Sequence, residues 1–157
     1  MTTTALRAPR PAHRDGEVLH QRISVVSRRG THPRAEDALR AGSLRRITAA
    51  KLRYCGLDAL VDDVMLIVSE LWTNALLHSG TSEITLSIKV QDGFLHIIVD
   101  DGMPGFPVSK AADEEALSGR GLALVDALAK EHGGEWSATE DGTATWCTLA
   151  LPQETAS

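Results

Sequence analysis

Cysteine is scarce in this chain of 157 residues. Cys55 and Cys147 lie far apart and make neither a Cys-x-x-Cys pair nor a Cys/His spacing. That rules out a disulfide framework, speaks against a thiolate metal centre, and reads as two free thiols in a reducing cytoplasm. A long apolar run is missing too. No stretch approaches the roughly 18 residues that cross a bilayer, so no membrane association is expected. The opening MTTTALRAPRPAHRDGE has no continuous apolar stretch and does not read as a secretory signal. Excess positive charge is also absent, and a net charge of −5 argues against a broad electrostatic footprint for nucleic acid. No internal repeat or low-complexity tract is visible.

What is present fits one globular unit. The length suits a single domain with its own core, and 43% hydrophobic with 24% charged residues is an ordinary balance. Residues 1–18 carry Arg7, Arg10 and Arg14 but little that could pack, which predicts a disordered tail before a domain over 19–154. HQRISVVS (20–27) reads as a strand. Residues 34–55 space Ala38, Leu39, Leu44, Ile47, Ala50 and Leu52 helically, and Gly56 closes that helix. Asp58 is the expected N-cap of a second helix reaching His78. SEITLSIKV and FLHIIVD alternate as strands around the hairpin signal Gln91-Asp92-Gly93. An aperiodic stretch, 101–119, precedes a third helix that the sequence starts at Arg120. EWSATE and ATWCTLAL read as a final hairpin around Asp141-Gly142. The order β-α-α-β-β-loop-α-β-β predicts an α/β two-layer sandwich with a mixed, mainly antiparallel sheet and helices on one face.

The segment SELWTNALLHS (69–79) carries Glu70, Asn74 and His78 four residues apart. At about 100° per residue they fall at about 0°, 40° and 80° on the helix, with Asp63 at about 20°. The apolar sector of Val61, Val64, Val68, Leu71, Trp72 and Ala75 centres on roughly 150°. The polar row therefore borders the buried stripe, where a cleft wall would be, although many amphipathic helices offer such a row. Asn74 asks for a reason, since asparagine is a poor helix former with both donor and acceptor groups. An amide oxygen beside a carboxylate suits a divalent cation and a general base.

Two glycine segments follow. VDDGMPG (99–105) puts Asp100, Asp101 and Gly102 at a strand end, which suits either an acidic turn or a cleft. GRGLALV (119–125) joins the long stretch to the third helix. Amides at a helix start can face an anion, with Arg120 adding charge, and a plain hinge is the competing reading. No GK[ST] follows, so this is not a Walker A loop, and the dinucleotide fingerprint is incomplete.

Taken in order, these segments resemble the boxes of the GHKL (Bergerat-fold) ATPases, which include histidine-kinase ATPase domains, DNA gyrase B and Hsp90-type chaperones. SELWTNALLHS resembles the N box, VDDGMPG and GRGLALV the two glycine boxes, and DGTATW the closing Gly-Thr element. The resemblance covers about residues 34–151 and is nearest to the stand-alone branch of anti-sigma-factor serine kinases and actinobacterial regulators. It implies a Bergerat-type fold that binds ATP and Mg²⁺. Asn74 would be the metal ligand, Glu70 the general base and Asp100 the acceptor for the adenine amino group, with Thr143 nearby through water. Gly102, Gly119, Gly121 and Leu122 would shape the pocket, Arg120 would add a contact to the nucleotide, and residues 101–119 would form an ATP lid. One departure is visible: the family's Asp-x-Gly-x-Gly is interrupted here, with Pro104 before a Gly105 that comes one place late.

The resemblance implies a protein-serine kinase that phosphorylates a small anti-anti-sigma (STAS-type) antagonist. The displaced glycine box motivates an alternative, a nucleotide-gated module that sequesters a sigma factor without phosphotransfer. A sensor histidine kinase is not expected, for want of dimerisation helices and a His-Glu phosphoacceptor segment. Relatives pair through the sheet edge or first helix, so a homodimer is compatible with the resemblance.

Overall fold

Alternation of apolar and polar residues builds the sheet. In this computed structural model, residues 15–25, 35–78, 82–102 and 112–152 are described, with backbone alone at 35, 36, 38, 77, 78 and 112–121. The strands are β1 (Gly16–Ser24), β2 (Glu83–Gln91), β3 (Phe94–Asp100), β4 (Trp136–Ala138) and β5 (Ala144–Ala150). They lie in the order β1-β2-β3-β5-β4, and every pairing among them is antiparallel. Ile84, Leu86, Ile88 and Val90 of β2, Leu95, Ile97 and Val99 of β3, and Cys147 and Leu149 of β5 point into one buried layer. The alternate residues, Thr85, Ser87, His96 and Ile98 among them, line the other face and keep partial exposure.

Three helices cover the buried face: α1 (Ala35–Tyr54), α2 (Val61–His78) and α3 (Ala112–Glu131). The central one, α2, packs on α1, on α3 and on β3. Its Val61, Val64, Val68, Leu71, Trp72 and Ala75 are all buried, as the periodicity predicts. This is the two-layer α/β sandwich read from the sequence.

Turn chemistry sets several boundaries. Asp92 and Gly93 both take positive φ, 53° and 84°, the two-residue turn whose twist matches the strands it joins. Gly56, at φ 77°, ends α1 while Leu57 N–H donates back to Leu52 O at 2.8 Å. Asp58 lies in a short 3₁₀ turn, Asp58–Leu60, that leads into α2 instead of capping it directly.

Three expectations shift. β1 begins at Gly16, within the predicted tail, because an extra residue between Glu17 and Leu19 in the pairing with β2 lets Val18 and Leu19 both turn inward. In α1 the buried side is Asp37, Leu44, Thr48, Ala49 and Leu52, while Leu39 is 72% exposed and Ile47 39%. The Arg40 guanidinium lies 3.7 Å from the buried Asp37 carboxylate, one turn on. Finally, α3 begins at Ala112, eight residues before the predicted start. ADEEALS lacks an apolar period, but its alanine, leucine and glutamates favour helix, and acids suit the first turn.

Candidate nucleotide-binding site

The predicted seam on α2 survives folding. Asp63, Glu70 and Asn74 are each partly buried beside the apolar stripe. No hydrogen bond or ion pair joins the Glu70 carboxylate to another described residue. Asn74 Oδ1 is buried and has no hydrogen-bond partner among the described residues. An unmet buried acceptor costs about 1–3 kcal/mol, and a hard cation or its water would remove that cost. Among the described residues no three His, Cys, Asp or Glu side chains cluster as a metal cage. A cation here would therefore take most of its oxygens from a ligand and from water, the usual habit of Mg²⁺. His78 ends α2, and its side chain lies outside the described residues.

Antiparallel register brings the end of β3 against the start of β5. Asp100 lies opposite Ala144, and the amides of Asp101 and Gly102 donate to Thr143 O at 3.0 and 3.3 Å. The two aspartates differ sharply. Asp100 is exposed, and its Oδ1 accepts the Gly102 N–H at 2.8 Å, closing the tight turn that Gly102 allows at φ 70°. Asp101 is partly buried and, one residue past the end of β3, follows Leu95, Ile97 and Val99 in strand alternation. The family resemblance assigns the adenine contact to Asp100, from its place in the glycine box.

The second glycine segment sits differently from its reading. Gly119, Arg120, Gly121 and Leu122 lie inside α3, seven or more residues past its start. Their amides therefore belong to the helical ladder and are not free to cradle an anion at a helix start. Leu122 is buried in the core at 4% exposure. The part of the expected lid from 112 to 119 is helix, while 103–111, with Pro104 and Gly105, lies outside the described residues.

Two features escaped the sequence. His132, at the end of α3, meets Asp63 of the seam with Nε2···Oδ2 at 2.7 Å, so the lowest member of the polar row ties α2 to α3. Asp141, read only as a turn residue, gathers three donors on one oxygen. Its Oδ1 accepts the Thr143 amide at 3.1 Å, the Thr143 hydroxyl at 2.9 Å and the Thr139 hydroxyl at 3.0 Å. Those bonds hold its carboxyl below the usual range, the Thr143 amide contributing most. The stabilisation is therefore present above the ordinary carboxylate pKa and is lost as pH falls through the lowered one. Both cysteines are free, and burial pushes the Cys147 thiol up to about 12, which leaves it unreactive. No helix among the described residues is long and apolar enough to cross a membrane.

Comparison with known proteins fits this arrangement. The family described as Histidine kinase-, DNA gyrase B-, and HSP90-like ATPase matches residues 59–155, from the turn before α2 to beyond β5. The "Probable sensor histidine kinase HK" of Mycobacterium tuberculosis (strain CDC 1551 / Oshkosh) is 27% identical over 194 aligned residues, covering 97% of this chain and 51% of that protein. The chain thus spans about half the length of the curated relative it matches.

Proposed function

The chain belongs to the family of histidine kinase-, DNA gyrase B- and HSP90-like ATPases, and from that premise we propose that it binds Mg-ATP and transfers the γ-phosphoryl group to a serine of a small STAS-type antagonist, as an anti-sigma-type kinase. The observation that carries the reading is the buried Asn74 Oδ1, without a partner among the described residues, one turn beyond a Glu70 carboxylate that none of them engages. Mg²⁺ held at Asn74 would neutralise charge on the triphosphate. Glu70 accepts the proton of the attacking hydroxyl as the new P–O bond forms and ADP leaves with the electron pair of the bond that breaks. If the site works this way, Asn74→Ala lowers Mg-ATP affinity about tenfold, and the difference disappears in EDTA. Equal losses with and without the metal would remove Asn74 from that role.

Strand phase supports Asp101 for recognition of the adenine amino group, with Asp100 shaping the turn behind it. Asp101→Asn is then expected to weaken ATP binding roughly 10- to 100-fold, the worth of a hydrogen bond to a charged group. Asp100→Asn should stay within about threefold. Calorimetry giving the reverse order would return the role to Asp100.

The mycobacterial relative favours a second reading, in which the phosphoryl group goes to a histidine. Radiolabelled ATP separates the two, since phosphoserine survives acid and phosphohistidine does not. Acid-stable label on the antagonist supports the serine kinase. Acid-labile label on a histidine supports the second reading. ATP binding with no transfer would leave a module that sequesters a sigma factor.

A further inference from the structure

The hairpin turn between β4 and β5 holds a carboxylate that the phosphoryl-transfer reading does not use. Asp141 Oδ1 lies 3.1 Å from the Thr143 amide nitrogen and 2.9 Å from Thr143 Oγ1, with Thr139 Oγ1 at 3.0 Å. Thr139 is itself fixed, because its Oγ1 accepts the Ala144 N–H at 3.1 Å. An ionised carboxylate can only accept hydrogen bonds, so the proton on Thr143 Oγ1 is committed to Asp141. The hydroxyl then has lone pairs alone to offer any further partner. Thr143 is also the residue whose carbonyl receives the amides of Asp101 and Gly102, which puts it at the expected base-recognition end of the site.

We propose that Asp141 is a positioning residue for base selection: by taking the Thr143 proton it makes the hydroxyl an obligate acceptor, which suits an exocyclic amino group and rejects a carbonyl at the same place. The proposal rests on the nucleotide-binding reading above and adds the part of the pocket that tells a 6-aminopurine from a 6-oxopurine. Without the carboxylate the hydroxyl is free to turn and donate, so a 6-oxopurine becomes acceptable.

The test measures affinities for Mg-ATP and for Mg-inosine triphosphate, which carries a carbonyl where adenine carries its amino group. Wild type, Asp141→Ala, Asp141→Asn and Thr143→Val are compared, each with its thermal unfolding. In Asp141→Ala the ATP-to-inosine triphosphate ratio is expected to narrow about five- to tenfold, mainly through better binding of the inosine nucleotide. Asp141→Asn should keep most of the preference, because the amide oxygen still accepts. Thr143→Val should narrow the ratio mainly by losing ATP affinity, with no loss for the inosine nucleotide. A merely structural role would lower both affinities together and leave the ratio where it was. An unchanged ratio in folded Asp141→Ala overturns the proposal while nucleotide binding stands. If that variant does not fold, an unchanged ratio in Thr143→Val overturns it equally. Wild type binding neither nucleotide would overturn the nucleotide reading and this proposal together.

Discussion

Glu70→Ala is expected to lower phosphoryl transfer to the antagonist about 10²- to 10⁴-fold while Mg-ATP affinity stays within about twofold, the range a positioned general base contributes. The separation follows from the geometry. Glu70 is partly buried at the border of the apolar stripe in the middle of α2, where helix dipole and capping effects are small. Its carboxylate is not committed to another described residue, so alanine leaves no buried partner unmatched and suits the helix better. The fold and the bound nucleotide are therefore expected to remain while the proton acceptor is lost. Stopped-time transfer assays alongside calorimetry on the same preparations check it. A variant that loses ATP binding in step with transfer would make Glu70 a ligand-binding group. A variant that transfers normally would point to proton removal by another group or by water.

The largest expected effect on stability is at Gly134. A Cβ placed there would lie 1.9 Å from Thr148 O and 2.5 Å from Thr148 C, both backbone atoms of β5 that cannot swing aside as a side chain could. The same turn is pinned from both ends. Gly134 N–H donates to Ala129 O at 2.7 Å, and Thr148 N–H donates to Glu135 O at 2.8 Å. Gly134→Ala must therefore push the end of α3 away from β5 or break one of these bonds. The expected cost is about 3 kcal/mol, at the upper end of overpacking penalties. For a chain of this size that is a fall of roughly 6–12 °C in Tm. Thermal unfolding within about 2 °C of wild type would mean that the close approach of Gly134 to β5 is not kept in solution.

The parts of the site that were legible in the sequence are those written in a local period. On α2 the period alone put Glu70 and Asn74 at the border of the buried stripe, and the structure keeps them there. Asp92-Gly93 announced its hairpin because positive φ at both positions restricts the choice of residue. Other features depended on partners distant in the chain. The Asp63–His132 contact joins residues 69 apart, and no local pattern marks it. Asp141 looked like any turn aspartate, because its value lies in the two threonines folded back onto it. The start of α3 was missed for a different reason: helix propensity without an amphipathic stripe is silent to a reading based on periodicity. In α1 the apolar spacing does not mark the buried side, which holds Asp37 and Thr48 while Leu39 faces outward.

The antiparallel pairing of β3 with β5 also has a temporal consequence. Phe94 pairs with Ala150 and Asp100 with Ala144, across a span that includes the whole of α3. By contrast, β2 and β3 meet across a two-residue turn, and β4 and β5 across a short one. Closing the longer span costs more chain entropy before any contact repays it, which puts this pairing late in assembly. During synthesis α2 and the β2–β3 hairpin emerge with Glu70, Asn74 and Asp101 already in sequence, but Thr143 and Asp141 arrive only with the last hairpin. The approach of Thr143 to Asp101 therefore cannot form until the whole of α3 and the last hairpin have been made.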